Sequence, residues 1–142
     1  MLLSESQPTP MISSPHLSRD GTIAFGNASL YRFVIGSLQY ILITHPELFY
    51  SVNKVFQFMH HPQQHYWKVV KWILRYLAGS QTHGLLLRKS SHLHLQVYAD
   101  VDWGSYLNDR KSTTGYTVFL SLNPIAWASN KQKVVSRSTT EV

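Results

Sequence analysis

Asp100 and Asp102 stand two residues apart in the run Tyr98-Ala99-Asp100-Val101-Asp102-Trp103. From Leu93 the odd positions are apolar (Leu93, Leu95, Val97, Ala99, Val101). The even ones are polar or amphipathic (His92, His94, Gln96, Tyr98, Asp100, Asp102), which is the alternation of a half-buried strand. Both carboxylates therefore leave the chain on one side, away from the apolar face. Two negative charges so placed repel unless a cation or a base relieves them, so the pair reads as a divalent-metal edge or as a solvated strand end. Metal-assisted cleavage of a phosphodiester wants about three or four carboxylates around ions about 4 Å apart. The chain has seven acidic residues in all. Glu5 and Asp20 fall in an N-terminal tail, which leaves Glu47, Asp100, Asp102, Asp109 and Glu141, and local geometry gathers only Asp100 and Asp102.

The other acidic candidates have plainer readings. Asp109 precedes Arg110 and Lys111 between strands, where turn chemistry and a local ion pair suffice. Glu141 closes Ser138-Thr139-Thr140-Glu141, a capping box in which serine and glutamate satisfy each other's backbone donors. Histidines cluster at His60, His61 and His65 near a helix boundary, and His92 and His94 share a strand face, but zinc wants three or four ligands and no cysteine or carboxylate stands at a matching spacing in the first cluster, so zinc is not expected there. Phosphate-cradling glycine loops, nucleophile elbows and dinucleotide fingerprints are absent from the sequence.

Basic residues outnumber acidic ones and give a net charge of +6, which favours a polyanionic partner. Lys68, Lys71 and Arg75 gather on one helix face and are interleaved with Tyr66, Trp72 and Tyr76. Such a surface tracks a phosphate backbone while rings stack on bases, and the alternative is a solvated helix face with its aromatics in the core. Lys131, Lys133 and Arg137 form a second basic cluster near the C-terminus.

The elements that must position these groups follow from periodicity. Residues 1–28 carry Pro8, Pro10 and Pro15 among serines and threonines and read as a flexible tail or linker. A helical segment over 29–80 follows. Its first helix has Leu30, Phe33, Val34, Leu38, Ile41 and Leu42 as its stripe and Asn27 or Ser29 as its cap. Pro46 opens a second helix (Leu48, Val52, Val55, Phe56, Met59), and Pro62 and Gly79 bracket a third (Trp67, Val70, Ile73, Leu74, Leu77). From His83 the period changes to two, predicting strands over 84–88, 92–102, 114–120 and 125–129. The class is α+β, with three helices and then an antiparallel sheet of three to four strands over 81–142. Hydrophobic residues make up 44% of the chain, ample for a core, and its apolar runs are too short to span a bilayer. The absence of cysteine and of a signal peptide suits an intracellular protein.

Beyond Asp100 come Asp109-Arg110-Lys111-Ser112-Thr113-Thr114-Gly115-Tyr116, Val118-Phe119-Leu120, Ile125-Ala126-Trp127, Lys131-Gln132 and Ser136-Arg137-Ser138-Thr139-Thr140-Glu141. In that order and spacing they resemble the start of the RNase H domain in the Pol polyprotein of copia-type LTR retrotransposons. Tyr31-Arg32, Gly36-Ser37-Leu38-Gln39-Tyr40, Thr44-His45-Pro46-Glu47, Val52-Asn53, Phe58-Met59-His60 and Ile73-Leu74-Arg75-Tyr76-Leu77 resemble the helical segment after the reverse transcriptase palm. The resemblance runs from about Pro10 to Val142 and is closest to plant elements.

The resemblance implies the first half of an RNase H-like fold in 81–142. It also implies a parent activity of RNA-directed DNA synthesis and hydrolysis of the RNA strand of an RNA·DNA hybrid, by two-metal catalysis with Mg²⁺. Asp100 carries over as the first metal ligand, with Asp102 beside it as a second candidate. Lys68, Lys71, Arg75, Lys131, Lys133 and Arg137 carry over as weak, electrostatic contacts to an RNA·DNA hybrid or other nucleic acid, the implied protein partners are the missing Pol segments or none, and no membrane is involved. The polymerase aspartate pair of the family lies upstream of everything here, and the metal-binding glutamate lies two positions past Glu141, beyond Val142. His45, Trp72 and Ala78 stand where the family usually shows basic residues, and Gly104-Ser105-Tyr106 also departs from its pattern. The expectation is a piece truncated at both ends, a remnant of an enzyme without a competent site of its own. Its rivals are a non-catalytic basic nucleic-acid-binding module and a domesticated protein-interaction module.

Overall fold

The computed structural model describes residues 5–12, 23–102 and 110–135. The chain forms two units, residues 1–84 and 85–142. The first holds helices α1 (Ala28–Ile41), α2 (Phe49–Phe56) and α3 (Gln64–Gly79), with a 3-10 turn at Pro46–Leu48 leading into α2. The second holds strands β1 (Leu95–Asp102), β2 (Thr113–Leu120) and β3 (Asn123–Lys131). The architecture is α+β, and among the described residues the sheet has three strands.

Each helix start has a local cause. Asn27 caps α1, its Oδ1 accepting the Leu30 amide at 2.9 Å. Pro46 lacks an N–H that an opening turn would leave unpaired in any case, and it begins the 3-10 turn. The core of this unit is Tyr31, Ile35, Leu38 and Leu42 of α1 and the residue after it, Leu48, Val52, Val55 and Phe58 around α2, and Tyr66, Val70 and Ile73 of α3. The α1 stripe differs from expectation: Phe33 is 72% exposed and Leu30 is 40% exposed, while Tyr31 and Ile35 are fully buried. Because α1 is apolar around most of its circumference, spacing alone allows two stripes. Tyr31 wins because its hydroxyl donates to the Val55 carbonyl at 2.9 Å and so satisfies a buried polar tip. Burial, and to a lesser degree the Tyr66 phenol, pushes the Tyr31 phenol well above its ordinary range.

Within the stretch read as a linker, Phe25 stacks on Trp67 with ring centroids 4.7 Å apart. An antiparallel bridge joins Ala24 to Gln63. Residue 79 must be glycine for Ser6 to lie where it does, since a Cβ there would stand 2.5 Å from the Ser6 Cβ. These described residues pack on α3.

The sheet is a meander of order β1-β2-β3, both pairs antiparallel. A two-residue turn, Ser121-Leu122, joins β2 to β3, and Ser121 occupies its first central position at φ 56°, where glycine is usual. Bonds from the Ser121 hydroxyl to the His92 carbonyl and from its amide to the His94 carbonyl, both 2.6 Å, hold the turn in place. The strand expected over 84–88 does not form. The Arg88 backbone is taken instead by the Asn123 side chain, which accepts the Arg88 amide at 2.7 Å and donates to its carbonyl at 2.8 Å, leaving no ladder to extend. Among the described residues no helix is long and apolar enough to cross a membrane.

Candidate functional site

Strand pairing fixes which side chains share a side of the sheet. Residues opposite one another in register project to the same face. Asp100 stands across from Gly115 and then Ser129; Asp102 stands across from Thr113 and then Lys131; Tyr98 stands across from Thr117 and then Trp127. One face therefore carries a polar end, Asp100, Asp102 and Lys131, and an aromatic end, Tyr98, Phe119 and Trp127. Tyr98 and Phe119 meet edge to face at 5.8 Å.

Both aspartates are exposed. One Asp100 oxygen accepts the Val101 amide at 2.8 Å, a bond that turns the carboxylate back along its own strand. Gly115 leaves the position beside Asp100 without a side chain. Two strand spacings of about 4.8 Å separate the backbones of Asp102 and Lys131, so a long lysine and the carboxylates share a field. Thr113, between them, is nearly buried and its hydroxyl has no hydrogen-bond partner. Among the described residues no group of three or more His, Cys, Asp or Glu gathers as a metal would need. Lys133 is exposed just past β3. Arg137, Asp109 and Glu141 lie outside the described residues.

On α3, Lys68 is exposed and Lys71 and Arg75 are half-buried, along the stripe their spacing sets. The interleaved aromatics are engaged elsewhere, in line with the solvated-face reading. Tyr66 is 1% exposed and stacks on Phe58 at 4.0 Å. The Trp72 indole donates to the Thr9 carbonyl at 2.8 Å, and the Tyr76 hydroxyl reaches Glu47 at 3.4 Å. Burial, followed by the Glu47 charge and that hydrogen bond, pushes the Tyr76 phenol above its ordinary value. The face offers cations without a stacking platform.

No family model and no solved structure matches the chain. The retrovirus-related Pol polyproteins from transposons RE2 and RE1 of Arabidopsis thaliana are each 44% identical to it over 141 residues, which is 99% of this chain and 10% of theirs. The chain belongs to the retrovirus-related Pol polyproteins of plant transposons. It spans about a tenth of the length of these relatives. An uncharacterized mitochondrial protein of the same plant is 39% identical over 136 residues, 96% of this chain and 55% of that protein.

In this Pol segment, sequence reasoning missed that Lys131 shares the face of the aspartates. Counting back from the hairpin, Leu120 pairs with Asn123 and Phe119 with Pro124, but Val118 then pairs with Ala126, and Ile125 is the extra residue of a bulge. Without it Asn130, not Lys131, would oppose Thr113, because a one-residue slip exchanges the faces of a strand. Pro124, a residue that cannot donate to a ladder, is the signal in the sequence that a bulge is near.

Proposed function

We propose that this chain is the junction of a copia-type Pol polyprotein, its helical unit following the reverse transcriptase palm and its sheet opening an RNase H-like domain. In the longer polyprotein, Lys68, Lys71, Arg75, Lys131, Lys133 and Arg137 contact the phosphates of an RNA·DNA hybrid, and Asp100 supplies one carboxylate to the hydrolytic site. The observation that carries this reading is the sheet face: two exposed carboxylates on the first strand of an antiparallel meander, open beside Gly115, with Lys131 on the same side.

Taken by themselves the residues present do not fit bound Mg²⁺. Asp100 and Asp102 sit at i, i+2 on a single strand, one Asp100 oxygen is held by a backbone amide, and no third acidic or imidazole ligand joins them among the described residues. Six oxygens around a small, strongly hydrated ion are not assembled by such a pair. No hydrolytic step is therefore assigned to this chain on its own.

The test has two arms. Hybrid binding is measured across a salt series, where each phosphate neutralised steepens the log–log slope by about 0.7 to 0.9. We expect saturable, strongly salt-dependent binding that flattens when Lys68, Lys71 and Arg75 are changed to Ala together. In Mg²⁺ or Mn²⁺ we expect no cleavage above an Asp100→Asn control. Absence of binding at low salt would defeat the nucleic-acid reading, and cleavage lost with Asp100→Asn would defeat the reading of an incomplete site.

A further inference from the structure

One side of α1 lies open to solvent. Phe33, Tyr40 and Ile43 are each more than two-thirds exposed, and Leu30 is exposed beside Phe33. Ile43 continues the last turn past the helix end, its amide donating to the Tyr40 carbonyl at 3.4 Å. Gly36 and Ser37 lie between the two rings. At spacings of three and four residues the outward stripe therefore reads aliphatic, aromatic, small, small, aromatic, aliphatic.

The stripe is suited to being covered. The Ser37 hydroxyl donates to the Phe33 carbonyl at 3.0 Å and the Thr44 hydroxyl to the Ile41 carbonyl at 3.2 Å, so burying either leaves no new donor unpaired. Arg32 is the one charged residue of α1, and its Nε is turned to the Met59 carbonyl at 3.4 Å. Nothing within the unit asks for glycine at position 36, where an added Cβ would meet nothing within 4 Å and where alanine would favour the helix. What glycine permits there is the close approach of another backbone. Residues 13–22, which lead toward α1, offer a single large apolar side chain, Leu17, against the four on the stripe.

The order of the stripe identifies its occupant, because it matches itself in reverse about the Gly36–Ser37 peptide bond. With a twofold axis there and a second α1 laid antiparallel, Leu30 faces Ile43, Phe33 faces Tyr40 and Gly36 faces Ser37, each pair occurring twice. An interface between identical copies needs this reciprocity, and one with an unrelated partner does not. The two Arg32 residues then stand about 13 Å apart along the helices, beyond the screening length of about 8 Å at physiological salt. At about 150 to 250 Å² for an aromatic side chain, the four large residues expose roughly 500 Å² per copy. The pair reaches the roughly 1,000 Å² of a small specific interface before its rim is counted. We propose that α1 is the interface of a symmetric dimer, a second copy of this chain crossing it at Gly36 and Ser37. The inference goes beyond the hybrid contact proposed above and uses none of its residues.

Sedimentation equilibrium of the full chain, whose monomer is 16.3 kDa, tests the proposal. We expect the mass to double with concentration, with a dissociation constant of about 1 to 100 µM for an interface of this size. Phe33→Ala and Gly36→Glu place their changes in open space and should each weaken association about tenfold or more, while the circular dichroism of the diluted chain keeps its helical signal. Leu95→Ala, on the open face of the sheet, should leave the constant unchanged. The register has its own readout, since the chain has no cysteine. Mild oxidation of mixed Phe33→Cys and Tyr40→Cys chains should link them, and neither variant should link to itself, its two thiols standing about 10 Å apart along the helices, outside disulfide reach. A chain that stays monomeric well above that concentration range would overturn the proposal and leave the stripe to another segment of the polyprotein. Association untouched by Phe33→Ala and Gly36→Glu, or self-linking of either cysteine variant as fast as the mixed pair, would also overturn it.

Discussion

The two units use their apolar residues in opposite ways. In the helical unit Tyr31, Ile35, Leu48, Val52, Val55, Val70 and Ile73 are fully buried. In the described part of the sheet unit the buried residues are Ser112 and Thr113, both polar, while Leu95 and Val97 of β1 are each 61% exposed and Leu93 is 81% exposed. Yet β1 has the cleaner sequence pattern of the two regions, alternating strictly, whereas α1 is apolar almost all round. Periodicity thus reports which side chains share a face. Whether anything covers that face depends on partners, and a sheet with one apolar side needs helices or a second sheet to bury it.

The largest expected difference between the units lies in their cores. Leu48→Ala or Ile73→Ala removes a fully buried side chain and should lower the stability of the helical unit by about 2 to 5 kcal/mol in urea unfolding followed by circular dichroism. Leu95→Ala or Val97→Ala on the uncovered face should change stability by less than about 0.5 kcal/mol. Equal losses at both places would erase the contrast.

A second test separates the units. Residues 85–142 expressed alone should bind a hydrophobic dye and melt without cooperativity, since each large apolar side chain left wet forfeits about 1.5 to 3 kcal/mol. A sharp monomeric melt of that segment would show that the sheet is self-sufficient.

Smaller effects concern local chemistry in the helical unit. Asn27→Ala should cost about 1 kcal/mol by orphaning the Leu30 amide. Tyr31 and Tyr76 both have phenols raised above their ordinary value of 10.0. In the unfolded chain they ionise near that value, so above it the unfolded state binds fewer protons than the folded one. Their contribution is therefore fully present below about pH 10 and is lost as pH rises further. Tyr31→Phe should lose about 1 kcal/mol at neutral pH with its bond to the Val55 carbonyl, while flattening the alkaline fall measured by urea titration at pH 9 to 11. An unchanged alkaline slope would remove Tyr31 as its source.

These residues also mark how far the sequence could be read. Asn27, Pro46 and Pro62 announce helix starts through backbone groups that any reader of caps can account for, and the α3 stripe through Val70 and Ile73 follows from spacing. The choice of Tyr31 over Phe33 was not legible, because it turns on a hydroxyl reaching a carbonyl 24 residues away. The missing strand at 84–88 turns on one amide, that of Asn123, taking both backbone groups of Arg88. In the candidate site, the shared side of Asp100 and Asp102 needed only the parity of one strand. The place of Lys131 needed the register of three strands and a bulge at Ile125, and the partners of Tyr66 and Trp72, the Phe58 ring and the Thr9 carbonyl, needed the packing of segments distant in sequence.

Amide hydrogen exchange of the full chain tests the contrast between the units most directly, because it reports opening residue by residue without cutting the molecule. We expect the amides of Val70 and Ile73 to exchange only through global unfolding of their unit, and the amides of β1, from Leu95 to Asp102, to exchange orders of magnitude faster through local opening. Protection across β1 equal to that of α3 would contradict this, and would mean that the face carrying Asp100 and Asp102 belongs to a closed and fully supported domain.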